Sequence, residues 1–196
     1  AVSFLDGSRM ANPPPSVDAS SESEPEHPRT ALADVAKDLD SQEGQAYGFA
    51  FKCFSTGGVA RLDDVEMRGF LLSRSSLTSG ELDVALRRLA RDPEGTLDKE
   101  SFLRLLRDHA APKGAVAEHF LRASADGQEI SATDCRSCLL AFAQESLSLD
   151  LDEDRLGEVA DAVMAKSSMM VSLELWTLHC RTLCRVVRLV TYLELV

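Results

Sequence analysis

Four apolar residues, Leu62, Leu97, Ile130 and Val171, recur 35, 33 and 41 residues apart, and each is followed five places later by another core-type residue: Met67, Phe102, Cys135 and Trp176. This recurrence constrains the fold more than any other feature of the chain. A period of this size marks a repeated supersecondary unit that cannot bury its apolar face alone. The clearest unit is FKCFSTGGVARLDDVEMRGF, Phe51 to Phe70. Phe51 and Phe54 close a helical run, a twelve-residue segment from Ser55 to Glu66 follows, and Met67 and Phe70 open the next run. The pattern predicts helix, twelve-residue loop, helix, four times over.

That frame is the frame of an EF-hand, in which an apolar residue at the eighth loop place stacks on its partner across a short β-bridge. The ion ligands are largely missing. Calcium loops want oxygens at places 1, 3, 5 and 12 and glycine at 6, where the first loop reads Ser55, Gly57, Val59, Glu66 and Ala60. The second loop, Ala90 to Ser101, has Asp92, Glu94 and Gly95 at places 3, 5 and 6, with Asp98 at place 9, but Ala90 and Ser101 at the ends. The third, SADGQEISATDC, is one residue short when counted from Phe120, and the fourth, MAKSSMMVSLEL, is almost devoid of oxygens. The expected fold is all-α: two pairs of EF-hand-like helix–loop–helix units with degenerate loops, the first over residues 30–110 and the second over 111–196. Leu62, Leu97, Ile130 and Val171 are the expected loop anchors.

Ahead of the repeats, residues 1–29 carry NPPPS and SSESEPEHP and lack the apolar residues of a core, so they read as a disordered acidic tail. Thr30 is the expected cap of a short helix through Leu32, Val35, Ala36 and Leu39, and Ser41 the cap of the next. Thr78 is the expected cap of SGELDVALRRLA. Gly44 and Gly48 weaken the helix that carries Tyr47 and Phe51, by up to about 1 kcal/mol each.

The net charge of −11 argues against nonspecific binding to nucleic acid or to an anionic membrane face. Five cysteines and an opening that lacks a basic segment followed by a long apolar run favour a reducing, cytoplasmic setting. No apolar run reaches the roughly 18–20 residues of a membrane span. Cys135–Cys138 and Cys180–Cys184 invite a zinc reading, but they fall within helical stretches, so buried thiols are expected. No HExxH, GxSxG, phosphate loop or dinucleotide turn is present, and the four histidines are scattered, so no reaction is proposed. The expected chain is not an enzyme and needs no cofactor. The alternative is a residual calcium sensor working through Asp92, Glu94 and Asp98.

The final stretch, WTLHCRTLCRVVRLVTYLELV, places Arg181, Arg185 and Arg188 at helical spacing beside an apolar surface that includes Val187 and Leu193. The simpler expectation is a core helix with a solvated basic face. The sharper one is a docking helix, with Arg181, Arg185, Arg188, Val187 and Leu193 binding a partner and a further domain covering the apolar surface.

Over residues 45–190 the tandem LTSGELDVALRRLARDPEGTLDKESFLRLL and HFLRASADGQEISATDCRSCLLAF resembles the N-terminal EF-hand-like region of TLDc-domain proteins. The chain departs from that family's lysosomal, mTOR-associated branch in lacking a myristoylatable Met-Gly start. The resemblance implies a non-enzymatic adaptor at the lysosomal membrane surface, with the vacuolar proton pump (V-ATPase) and mTOR signalling components as partners.

Overall fold

The computed structural model describes residues 32–90, 95–147, 152–165 and 169–195. The tail expected over 1–29, the cap expected at Thr30, and Asp92 and Glu94 lie outside them. Most described residues are helical, and the strands are short segments lodged between helices.

The chain begins with α1 (Leu32–Lys37) and α2 (Leu39–Phe54). Ser41 does not cap α2. The helix starts two residues earlier behind Asp38, which makes no side-chain cap bond. Val35 and Leu39 are both buried, so their packing carries the helical run past Ser41. Two strands follow, β1 (Ser55–Thr56) and β2 (Val59–Arg61), then α3 (Val65–Arg74) and α4 (Ser79–Leu89). The second loop supplies β3 (Thr96–Asp98) and leads into α5 (Lys99–Asp108). The remaining elements are α6 (Lys113–Ala123), β4 (Glu129–Ser131), α7 (Ala132–Ser146), α8 (Glu153–Met164), β5 (Met170–Ser172) and α9 (Leu173–Leu195).

Side-chain caps set several helix starts. Thr78 and Glu81 form a reciprocal capping box at α4. Asp64, Asp98, Ser131 and Asp152 each accept a backbone N–H at the starts of α3, α5, α7 and α8. Asp98 and Ser131 are also the last residues of β3 and β4. One residue therefore ends the strand and starts the helix, which fixes the turn between loop and exit helix.

The strands pair antiparallel in two groups, β1–β2–β3 and β4–β5. Ile130 faces Val171 across β4–β5, and both are buried. Leu97 faces Ala60 across β2–β3, not Leu62. The cause is Gly57–Gly58, at φ +64° and +86°. Two successive residues with positive φ make the tight hairpin turn that matches strand twist. Ser55 and Thr56 are thereby folded onto Ala60 and Val59, so the first loop is a hairpin and not an open ring of oxygens. Leu62 comes just after β2, donating its N–H to Gly95 O at 3.0 Å and resting its side chain against Gly95. Glu66 lies in the first turn of α3, exposed.

Buried residues from both halves form one continuous core. At one end Tyr47, Phe51, Phe70 and Phe102 meet ring against ring. At the other, Phe142 meets Trp176 edge-on, and the Trp176 indole N–H donates to Val116 O at 2.8 Å. The helix α9 runs between the two clusters, packing on α1, α2 and α5 as well as on α6, α7 and α8. At 23 residues it is about 34 Å long, enough to span a small domain. Trp176, Cys180, Leu183, Val187 and Val190, spaced by four and three, form its most buried seam.

Candidate functional site

Two sets of residues stood out as candidates, the loops and the basic stripe of α9. In the second loop, Asp98 is half-buried and accepts the N–H of Ser101 at 2.7 Å. Ser101, at the twelfth place, is a buried hydroxyl where a calcium loop has a bidentate carboxylate. In the third loop the Asp126 carboxylate turns back on its own backbone. It accepts from Gln128 N at 2.9 Å and Glu129 N at 3.4 Å, and from the Ser124 hydroxyl at 3.1 Å. Those bonds, the Gln128 N–H first, hold its pKa below the ordinary carboxylate range. Gly127, at φ +74°, supplies the left-handed residue this turn requires. Asp134 is bound by the Ser131 hydroxyl at 2.7 Å. In both loops, Asp98, Asp126 and Ser131 direct side-chain oxygens at backbone N–H groups, and Asp134 accepts from the Ser131 hydroxyl. Among the described residues, no group of three or more His, Cys, Asp or Glu side chains is placed to hold a metal ion.

The cysteine pairs lie inside the α7–α9 packing. Burial pushes the Cys135 thiol up to about 11 and Cys184 to about 12, and raises Cys180 further still. Such thiols stay protonated near neutral pH and pack as small apolar groups. Cys53 is exposed, and its sulfur contacts Phe49 O at 3.7 Å.

The basic stripe divides sharply along its length. Arg185, Arg188 and Val187 do not present a docking face, because the protein's own helices cover them. Arg185 binds the Glu43 carboxylate with Nε at 3.1 Å and Nη2 at 2.6 Å, and also reaches Asp40. Arg107 closes the same cluster, with Nε 3.2 Å from Glu43 Oε2 and Nη2 donating to Asp40 O at 3.0 Å. One buried acid thus joins α2, α5 and α9. The Arg185 guanidinium, although burial opposes its charge, is held protonated by Glu43 and Asp40. Asp40 is held ionised chiefly by its bond from Arg185.

Arg188 has a different solution. Its Nη1 donates to Ala110 O at 2.7 Å and Arg74 O at 3.1 Å. Arg74 ends α3, and Ala110 lies just beyond α5, so two helix C-termini with their negative dipole ends receive the cation. Arg74 answers by donating to Arg188 O at 3.4 Å and stacking over the Tyr192 ring at 5.3 Å. Burial works against the Arg188 charge and lowers its affinity for its proton. Val187 is fully buried, whereas Leu193 remains 40% exposed. Arg181 lies partly exposed in a surface groove with Leu178 and Thr177.

Glu43 is a site residue that the loop spacing and the basic stripe do not point to. It is 2% exposed. The signal was present: Glu43, Tyr47, Ala50 and Phe51 share one helix face at the spacing of a core stripe. An acid on an apolar stripe must find a cation.

Comparison with protein-family models, with curated proteins and with solved structures finds no match to this chain. Among the described residues, no helix is long and apolar enough to cross a membrane.

Proposed function

We propose that the chain is a non-enzymatic, calcium-independent protein-interaction module built of two EF-hand-like pairs. In this reading the loops have become joints. The observation that carries it is the buried Ile130–Val171 pair at the centre of β4–β5. Two loops are coupled through apolar anchors and a short strand ladder, with no ion needed to hold them. The hairpin at Gly57–Gly58 and the capping roles of Asp98, Asp126 and Ser131 support the same reading. A calcium sensor opens its helix pairs when the ion binds. Here the faces between helices are filled by Phe102, Phe120, Phe142 and Trp176, all buried, which suits a module of fixed shape.

From the resemblance to TLDc-domain proteins we carry forward an adaptor role on the cytoplasmic face of the lysosome, with the vacuolar proton pump or mTOR components as partners. Affinity capture from cells, with and without calcium chelation, tests both parts. Recovery of those components in equal amounts under the two conditions is expected. Capture that disappears with the chelator would reject calcium independence and return the second loop, with Asp92, Glu94 and Asp98, to the role of sensor.

A further inference from the structure

The inference rests on the interaction-module reading and names the surface. Two grooves meet on the outer side of α9. One, of about 240 Å³, lies between Lys113 and Ala117 of α6 and Leu173, Thr177 and Arg181 of α9. The other runs along α9 and is lined by Leu178 together with the same Thr177 and Arg181. They form one trough. Lys113 and Ala117 are one helical turn apart, as are Leu173, Thr177 and Arg181, so each wall is a single helix stripe.

Its apolar content is unusual for α9. From Trp176 to Val190 the large apolar residues of this helix are buried, except Leu178 at 56% exposure, and Leu173 just before them is 47% exposed. Its charge is unusual as well. Arg185 is paired with Glu43 and Asp40, and Arg188 is hydrogen-bonded to carbonyls, whereas Arg181 and Lys113 form no ion pair among the described residues. Both cations act on the neighbouring His109, whose proton affinity burial and Lys113 reduce, with Arg181 adding to the effect. Glu174 is the acid that lines the trough. The two cations leave it locally positive in a chain of net charge −11.

We propose that this trough receives an acidic amphipathic segment of a protein partner. Apolar side chains of that segment pack on Leu173 and Leu178, and its carboxylates bridge Lys113 and Arg181. Charge complementarity selects such a partner over the surface of an anionic membrane or a nucleic acid. Two cations cannot offset the repulsion of an acidic chain from an extended polyanion. They can fix the register of a short acidic segment whose apolar side supplies the contact.

The test is display of random 16-residue peptides selected on the full chain. Three variants follow: Lys113→Glu with Arg181→Glu, Leu178→Asp, and Val65→Asp in a groove along α3 that shares no residue with the trough. All of these positions lie at the surface, and circular dichroism checks that each variant folds. Enrichment of Asp and Glu among apolar residues is expected, with binding at least tenfold weaker in the first two variants and unchanged in the third. Selected peptides without acidic bias, no enrichment at all, or binding lost only in Val65→Asp would overturn this surface while leaving the module reading intact. Peptides that bind only with calcium would overturn the module reading itself. Vesicle binding or self-association that the Lys113→Glu/Arg181→Glu variant abolishes would assign the trough to a different occupant and overturn the proposal.

Discussion

Replacing Glu43 by glutamine removes one negative charge and keeps the shape of the side chain. In the native protein that carboxylate is 2% exposed and is contacted by Arg107 and Arg185. Breaking a buried pair by deleting one partner costs about 3–5 kcal/mol. Two features reduce that here. Arg185 keeps Asp40, and the Arg107 side chain is 33% exposed and can turn to water. The expected loss is about 2–4 kcal/mol, which for a chain of this size lowers Tm by about 5–15 °C. Urea unfolding should show a shifted midpoint at unchanged slope. A double-mutant cycle with Arg185→Met should return a coupling of about 1–3 kcal/mol. A Glu43→Gln protein within about 0.5 kcal/mol of the parent, well below the cost of an unpaired buried charge, would refute the claim that this cluster locks α9 to α2 and α5.

Further outcomes follow from single residues. Gly58→Val, at φ +86°, should destabilise by about 1–3 kcal/mol, whereas Gly44→Ala, in an open helical position, should stabilise by up to about 1 kcal/mol; thermal unfolding measures both. Trp176→Phe should cost about 2–4 kcal/mol, from the lost indole bond to Val116 O and the space left behind, read by denaturant unfolding. Burial holds His179 below its ordinary pKa of 6.5, so the unfolded chain binds its proton first. Stability should therefore decline as pH falls through 6.5, and His179→Gln should flatten that part of the profile.

The helical class and most of the helices were legible because apolar spacing reports which face a helix buries. Thr78 announced its helix, since a hydroxyl followed three residues later by glutamate is a start signal. Leu97, Ile130 and Val171 lie on short paired strands. Leu62 does not, because the sequence frame counted twelve residues through Gly57–Gly58, where the chain makes a hairpin. A left-handed Gly–Gly turn shifts the register by two residues without altering the apolar pattern around it. Arg185, Arg188 and Val187, expected on a docking face, are engaged within the protein for a related reason. A helical stripe of arginines is the same in sequence whether solvent or the protein's own acceptors face it, and for Arg185 the acceptor is Glu43, 142 residues away. Lys113 enters the candidate surface only through packing, since nothing in its local sequence brings it to Arg181.

The account turns on loops that join helices without an ion. Calorimetric titration of the full chain with calcium tests this most directly, paired with an Asp92→Ala variant. The account predicts no saturable heat in the micromolar range and superimposable traces for the two proteins. A micromolar binding isotherm that vanishes in Asp92→Ala would contradict it.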